Sequence, residues 1–290
     1  LKSSPVSAAE FFDRKAIRSV EDKFETIPEL KTLPDDSAAL LIKIEALNEY
    51  ELRDKILQVE KVLSDSQTLL PVHFTDKESE YKVYWDMRSG IFPSVGSTRP
   101  LGTTCLIEDV AFSIEDLAEA TDDLHEIFIK NHYEDAVIYG HALDGNLHFI
   151  ISQRFDKEEF IRQYEKMMNE VIEMVVEKYH GSLKAEHGTG RNMAPFVKKE
   201  WGEKAFSIMQ QVKQLFDPEG ILNPGVIFNE NPRCHLENIK PMPAVHPLID
   251  KCIECGFCEV NCVSAGFTMS SRQRIVVQRE IKRLKNTNEN

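Results

Sequence analysis

The sequence predicts an α+β fold in which an antiparallel sheet is covered by helices. Runs of apolar residues with strand character alternate with runs of helical periodicity. The pair Asp144-Gly145 predicts a two-residue turn of the kind that joins adjacent antiparallel strands. The sequence has no glycine-rich loop of the dinucleotide-binding or P-loop type, which argues against a doubly wound parallel sheet. We therefore expect helices packed on an antiparallel sheet.

The elements follow the order strand, helix, strand, helix, hairpin and helix, after an N-terminal helix with Ser7 as its N-cap. Gly181 directly follows the last helix, which suits a helix C-terminus. The predicted strands cover residues 38–46, 103–112, 136–142 and 146–152. The predicted helices cover residues 8–24, 49–63, 79–88, 113–130 and 156–179.

Length and charge limit the function. The chain has 290 residues, which favours two domains, and a net charge of −13, which argues against a nucleic-acid-binding protein. No apolar run approaches the ~18 residues that span a bilayer, and the N-terminus lacks the apolar stretch of a signal peptide. We expect a cytoplasmic protein, or a peripheral one at the inner face of the membrane. An initiator Met is missing, so we expect either a processed chain or a piece of a longer protein.

Four of the six cysteines are clustered: Cys252, Cys255, Cys258 and Cys262. Their C-x2-C-x2-C-x3-C spacing is that of bacterial ferredoxins and predicts a [4Fe–4S] cluster. The alternatives are a zinc site or four buried thiols, but zinc sites more often pair two separated C-x2-C units or use histidine. In two-cluster proteins the fourth cysteine of each run ligates the other cluster. A chain with only one such run can therefore lack one of the four thiolate ligands of its cluster.

A stretch rich in proline and asparagine, residues 229–247, is typical of a linker. It divides the chain into residues 1–228 and residues 248–290. We interpret the first part as one α+β domain and the second as the start of a ferredoxin-type iron–sulfur domain.

Two histidines flank the predicted Asp144–Gly145 turn. With these two residues as the turn, His141 opposes His148 across the hairpin, so both rings lie on one face of the sheet. Two such imidazoles can bind one metal ion. The alternative is a pair of half-buried histidines on a sheet face.

A second segment offers a further ligand. Glu186 and His187 lie in a loop bounded by glycines. A set of two histidines and a glutamate suits zinc or manganese with open positions for a substrate. The alternative for this loop is a solvated turn.

Three motifs in this order resemble one known family. They are GHALDGNLHF at residues 140–149, EHGTGR at 186–191 and FDPEGILNPG at 216–225. Together they resemble the C-terminal half of the FAD-linked D-2-hydroxy-acid dehydrogenases, which include D-lactate, glycolate and D-2-hydroxyglutarate enzymes. The resemblance covers roughly residues 40–227. The cysteine run and the SSRQRIVVQREI that follows it resemble the long subgroup whose flavin half is fused to an iron–sulfur half.

The resemblance implies a ferredoxin-like cap domain that supplies the substrate site. It implies that FAD is bound mostly by a domain that this chain lacks. It also implies that a small helical iron–sulfur segment follows the cap domain. The implied ligands of a divalent metal, zinc or manganese, are His141, His148 and Glu186. The implied base or hydrogen-bond donor at the substrate hydroxyl is His187.

Three further residues receive roles from the resemblance. Arg88 would pair with the substrate carboxylate, and Asn146 and Asn223 would lie beside the flavin ring. Without the resemblance, Arg88 is a surface helix residue and Asn223 a turn residue. The sequence departs from the family pattern at Leu143, where glycine is usual, and at Ile150, where asparagine is usual. These departures leave the exact substrate open.

The resemblance therefore implies an enzyme that oxidises a D-2-hydroxy acid to the 2-oxo acid. FAD would pass the electrons through iron–sulfur clusters to an acceptor such as a quinone or a cytochrome chain, and this chain alone would be inactive. A flavin oxidase is an alternative, but it needs no cluster. Another is a non-catalytic electron-transfer or docking module with a decayed site. A plain ferredoxin-like metal-binding module is disfavoured by the length of the first domain.

Overall fold

The sheet holds the elements of the chain together. The computed structural model describes residues 1–23 and 27–287. The strands are β1 (Ala8–Asp13), β2 (Ala38–Lys43), β3 (Thr104–Ala111), β4 (Val137–His141) and β5 (Asn146–Gln153). They form a five-stranded sheet in the order β2-β1-β4-β5-β3, in which each neighbouring pair is antiparallel. The predicted α+β class, an antiparallel sheet covered by helices, is confirmed.

The helices of the described residues agree with the predicted pattern after residue 48. Residues 49–63 are helical as predicted, the helix predicted at 79–88 runs on to Thr98, and the one predicted from Ser113 begins at Leu117. The helices are α1 (Arg14–Arg18), α2 (Glu49–Leu63), α3 (Glu78–Thr98), α4 (Leu117–Lys130), α5 (Glu158–Glu173), α6 (Val197–Phe216), α7 (Pro247–Asp250) and α8 (Ser271–Thr287). A π-helical turn extends α5 by Met174–Lys178, and Gly202 interrupts α6.

Both faces of the sheet are covered by helices. On one face, α4 and α5 bury an apolar cluster that includes Leu124, Phe128, Phe149, Met167 and Val171. On the other face, α1 and α3 bury a smaller cluster that includes Phe12, Ile17, Ile91, Tyr139 and Ile150. Each such side chain contributes about 1.5–3 kcal/mol when it is fully buried. The candidate site lies on this second face, beside α3.

The predicted N-terminal helix over residues 8–24 is wrong for residues 8–13, although Arg14–Arg18 are helical. Residues 8–13 form β1, which is an interior strand because it pairs with β2 on one side and β4 on the other. Ser7 is not an N-cap, since its N–H donates to the carbonyl of Lys43 as part of the sheet. Long-range pairing overrides the local helical periodicity here. Phe24, the predicted end of the helix, lies outside the described residues.

A short helix follows β1 directly. Asp13 ends the strand and caps α1, because its carboxylate accepts the backbone N–H of Ala16 at 2.6 Å. The same carboxylate accepts the N–H of Ile138 in β4 at 2.9 Å. Asp13 thus joins the first strand to the middle of the sheet.

The β4–β5 connection differs from the predicted two-residue turn. Ala142–Asp144 form a 3-10 turn, and Gly145 adopts the left-handed region with φ 66°. A side chain cannot be accommodated at Gly145, since a Cβ would lie 2.0 Å from the carbonyl oxygen of Phe112. His141 therefore opposes Asn146, and the prediction that it opposes His148 is wrong by two residues.

The C-terminal part is mostly irregular between α6 and α8. Leu236, inside the predicted linker, is buried and belongs to the larger apolar cluster. Arg279 of α8 is 3% exposed and donates to the carbonyl oxygens of Ile249 and Cys252, which fixes α8 against the cysteine segment. Within the described part of the chain, none of the helices has the length and apolarity needed to cross a bilayer.

Candidate metal and substrate site

Three of the predicted ligands converge at one point of the sheet. The ligand atoms of His141, His148 and Glu186 all lie within 4.8 Å of one another. Oε1 of Glu186 is 3.1 Å from Nε2 of His141 and 3.1 Å from Nε2 of His148. The hairpin thus presents two ring nitrogens to a single carboxylate oxygen from a separate loop.

The two histidines share a face although their predicted pairing is wrong. Side chains alternate along a strand with a period of two, so a shift of two residues leaves the face unchanged. His141 and His148 are diagonal rather than direct neighbours, and their ring centroids are 5.3 Å apart at 89°. The convergence of the two rings therefore survives the change of register.

A buried aspartate holds the loop that carries Glu186. Asp109 of β3 is fully buried, and its Oδ2 accepts the backbone N–H groups of Ala185, Glu186 and His187 at 2.8, 2.8 and 3.0 Å. Burial raises the pKa of Asp109, but the close His148 ring and hydrogen bonds from the His187 backbone and Asn146 outweigh it, so the pKa lies well below its ordinary value. The carboxylate is therefore charged and fixes the loop on the sheet.

An ion pair under the same loop adds a second anchor. Nζ of Lys184 lies 2.6 Å from Oε2 of Glu108, and both side chains are nearly buried. Nδ2 of Asn192 donates to the other oxygen of Glu108 at 2.9 Å. The two ends of the segment 184–192 are thus bound to one carboxylate of β3.

A glutamate that the sequence reasoning missed lies behind the cluster. Glu10 of β1 is directly opposite His141 in the sheet and 5% exposed. Its Oε1 lies 2.8 Å from Nδ1 of His141, and its Oε2 accepts Nε–H of Arg88 at 2.9 Å. An acidic residue inside the apolar run AAEFFD is the one sequence signal that could have found it.

These contacts shift the pKa of both partners in opposite directions. Burial raises the pKa of Glu10, but the hydrogen bonds from His141 and Arg88 lower it more, so it lies below its ordinary value. The hydrogen bond to Glu10, and a weaker one to Glu186, raise the pKa of His141 against the effect of burial. An ionised Glu10 only accepts, so Nδ1 of His141 carries a proton.

Arg88 and His187, the two predicted substrate contacts, flank the cluster. The guanidinium of Arg88 lies 5.3 Å from the centroid of the Tyr139 ring, and Tyr139 is itself buried. The ring of His187 stacks on His148 with centroids 4.7 Å apart and an angle of 6°. Nε2 of His187 is 3.8 Å from Oε1 of Glu186. Both residues therefore lie where a substrate bound at the cluster could meet them.

The two asparagines predicted beside the flavin have different environments. Asn146 is 4% exposed, and its Nδ2 donates to Asp109 and to the carbonyl of Val110. Asn223 is exposed, with φ 44°, in a turn that Asp217 organises. Within the described part of the chain, Asn223 makes no hydrogen bond to the cluster. Their role at a flavin stays a prediction.

The donor set fits a divalent metal. Nε2 of His141 and Nε2 of His148 both face Oε1 of Glu186, and such a group needs a cation or protons between its members. Ligands ~2.0–2.1 Å from a tetrahedral zinc lie roughly 3.3 Å apart, close to the 3.1 Å seen here. Nδ1 of His148 is buried and has no hydrogen-bond partner in the described part of the chain, although Oδ1 of Asp109 is only 3.3 Å away. Coordination through Nε2 would leave the proton on Nδ1, facing that carboxylate.

The four clustered cysteines do not form a comparable group. Among the described residues, two groups have three potential ligand atoms within 4.8 Å of one another, and both lie at the histidine site. They are His141, His148 and Glu186, and Asp109, His148 and His187. The backbone N–H of Glu254 points at Sγ of Cys252 at 3.3 Å, and Glu254 and Gly256 have φ of 62° and 85°. Hydrogen bonds from Ser264 and Ser271 lower the pKa of Cys262 to about 6. Among the described residues the four thiols therefore do not converge as the histidine-site ligands do, and their role in a [4Fe–4S] cluster stays a prediction.

Comparison with known proteins shows the family to which this chain belongs. The family described as FAD linked oxidases, C-terminal domain, matches residues 1–227. The chain belongs to this family. A D-2-hydroxyglutarate dehydrogenase of Stutzerimonas stutzeri (strain A1501) is 28% identical over 227 residues, which cover 77% of this chain and 47% of that protein. A D-lactate dehydrogenase of Anaerostipes hadrus is 27% identical over 224 residues, or 76% and 46% of the two chains.

A solved structure shares the fold of this FAD-linked oxidase domain. The 4-ethylphenol oxidase from Gulosibacter chungangensis, in an isoeugenol complex, superposes with a TM-score of 0.50 at 14% identity. The match covers 77% of this chain and 48% of that one. The chain thus spans about half the length of the relatives it matches. The resemblance to FAD-linked hydroxy-acid dehydrogenases, stated from three motifs, is confirmed at the level of the family.

Proposed function

We propose that this chain supplies the substrate site of a flavin-dependent dehydrogenase that oxidises a D-2-hydroxy acid of the D-lactate or D-2-hydroxyglutarate class. The observation that supports this best is the convergence of His141, His148 and Glu186 on one point beside Arg88. The names of the two relatives agree with this substrate class.

In this proposal, different residues of the chain bind the metal, bind the substrate and accept the proton. His141, His148 and Glu186 would hold a divalent metal, and Arg88 would bind the substrate carboxylate with its terminal amino groups. Bound there, the metal would polarise the substrate hydroxyl, while the flavin would supply the hydride acceptor. His187, stacked beside the cluster and partly exposed, would accept the hydroxyl proton at a ring nitrogen.

The test is the metal content of the purified chain. We expect about one zinc or manganese ion per chain, and loss of that ion in His141→Ala/His148→Ala. The matched control is His73→Ala/His132→Ala, because both of these histidines are exposed and remote from the cluster. A chain that binds no metal, or binds it equally well in both double variants, would favour a docking module instead.

The iron–sulfur part of the function rests on spacing alone. Cys252, Cys255, Cys258 and Cys262 have the ferredoxin pattern, which supports the further proposal that electrons leave through a [4Fe–4S] cluster. A quinone or cytochrome acceptor, a cytoplasmic or membrane-peripheral location, and the division at residues 229–247 stay predictions with it. Iron and sulfide analysis of the anaerobic chain tests the cluster, and absence of both would contradict it.

A further inference from the structure

One carboxylate contacts both halves of the candidate site. Glu10 bonds His141, a metal ligand in the proposed function, through one oxygen, and Arg88, the substrate contact, through the other. It is 5% exposed and lies on β1, whereas the two partners lie on β4 and α3. A buried carboxylate with these two partners can orient both the His141 ring and the Arg88 guanidinium.

We infer that Glu10 is a positioning residue that selects the His141 tautomer with Nε2 free for a metal and fixes the Arg88 guanidinium through its Nε. This inference rests on the proposed function. No sequence motif of the site includes Glu10, because it is joined to His141 only through strand pairing.

The hydrogen bond from His141 to Glu10 determines which ring nitrogen carries the proton. A carboxylate can only accept, so the 2.8 Å contact from Oε1 of Glu10 requires a proton on Nδ1 of His141. In a neutral ring the proton on Nδ1 leaves the lone pair on Nε2, the atom that faces Glu186. A ligating histidine held in this way by an outer carboxylate binds metal more tightly, and loss of the partner costs 10–100-fold in affinity.

Arg88 contacts Glu10 through only one edge of its guanidinium group. Its Nε donates to Glu10, and its plane lies over Tyr139. Within the described residues, the two terminal amino groups of Arg88 have no hydrogen-bond partner. They form the end-on fork that binds a carboxylate with two parallel bonds. Glu10 therefore occupies the side edge of Arg88 and leaves the end edge for the substrate.

The experiment compares the 290-residue chain with Glu10→Gln and Glu10→Asp. A glutamine cannot accept from both partners, since one of its two polar atoms is a donor. Two readouts are used at one pH, high enough for the His141 ring to be neutral: the ring tautomer of His141 by long-range 1H–15N NMR without metal, and the Zn2+ affinity by competition with a chelator. We expect Nδ1–H in the native chain, loss of this preference in Glu10→Gln, and about 10–100-fold weaker Zn2+ binding. Glu10→Asp should retain more of both properties.

The matched control is Asp13→Asn. Asp13 is a buried carboxylate on the same strand, with partners in α1 and β4 but none in the cluster. Asp13→Asn should lower stability without changing the tautomer or the Zn2+ affinity. A merely structural role for Glu10 would give the same result in Glu10→Gln, and this would overturn the inference.

The two proposals fail in different ways. If the native chain binds no Zn2+, or binds it without His141 and His148, the proposed metal site is wrong. The tautomer measurement still decides the role of Glu10 in that case. An Nε2–H tautomer in the native chain, or Zn2+ binding by Glu10→Gln equal to that of the native chain, overturns the role of Glu10 alone.

Discussion

The carboxylate of Asp109 accepts the backbone N–H of His187 at 3.0 Å, across the gap between β3 and the loop that carries Glu186. Two further N–H groups of the loop bind the same oxygen. A single buried side chain therefore fixes the position of two proposed site residues.

Replacing Asp109 should release that loop. Asp109→Ala leaves three N–H groups and Asn146 without their acceptor, so we expect a loss of about 3 kcal/mol or more in the free energy of unfolding. Urea denaturation measures this loss. Asp54→Ala, at an exposed position on α2, is the control and should change stability by less than about 0.5 kcal/mol. Equal effects of the two substitutions would contradict the anchoring role.

The buried pair of Lys184 and Glu108 gives a second prediction. Lys184→Met leaves the Glu108 charge buried without its cation, so we expect a cost of about 3–5 kcal/mol. In the double variant Lys184→Met/Glu108→Gln the unpaired charge is gone, and much of that stability should return. Thermal or urea unfolding of the four chains gives the coupling energy. Simple additivity of the two substitutions would show that the pair does not act as a unit.

Metal should stabilise the folded chain. A ligand that binds only the folded state at a hundred times its Kd raises the free energy of unfolding by about 2.7 kcal/mol. We expect Zn2+ or Mn2+ to raise the melting temperature of the native chain and EDTA to reverse the effect. His148→Ala should abolish the response, whereas His73→Ala, at an exposed position, should retain it. A response that persists in His148→Ala would place the metal elsewhere.

Arg88 should contribute geometry as well as charge. Lysine keeps the charge but cannot form two parallel bonds to a carboxylate, nor can it bond Glu10 and the substrate in the same way. We expect Arg88→Lys to weaken D-lactate binding to the zinc-loaded chain by about tenfold, measured by calorimetry. Arg53→Lys, on the exposed face of α2, is the control. Binding that is unchanged in Arg88→Lys would remove Arg88 from the substrate site.

His235 should make stability depend on pH. Among the described residues neither ring nitrogen has a hydrogen-bond partner. The ring packs on Phe196 with centroids 5.0 Å apart, and burial lowers the pKa of His235 below 6.5. The unfolded chain then binds a proton more readily, so stability is lost as the pH falls from about 7 to about 5. His235→Phe keeps the ring and should flatten this dependence in urea unfolding at both pH values. Exposed His132→Phe should leave the dependence unchanged.

The sequence predicted the α+β class and the grouping of the three candidate ligands, but not the strand register that presents them. His141, His148 and Glu186 could be found because their motifs are local and because an even shift of register keeps a side chain on the same face. Glu10 and Asp109 could not be assigned, since their roles depend on pairing between strands far apart in the chain. Each is nevertheless an acidic residue inside an apolar strand, which is a signal for a buried and partnered charge.

The N-terminal helix was predicted wrongly for the same reason. The run from Ala8 to Ile17 satisfies a helical period locally, but its first half is stabilised by partners in β2 and β4. For the cysteine run, in contrast, the sequence is more informative than the structure. Its spacing is highly specific, yet the placement of the four sulfurs adds no support for a cluster.

The separation of Glu10 from His141 along the chain has a consequence during synthesis. The two residues are 131 positions apart, and a ribosome adds roughly 5–20 residues per second. About 7–26 s therefore pass between the synthesis of β1 and the synthesis of its partner strand β4. During that interval β2 is its available neighbour, and the edge bearing Phe11 and Phe12 remains unpaired. Chaperone binding to the nascent chain should be strongest in this window and end when the His141 hairpin emerges.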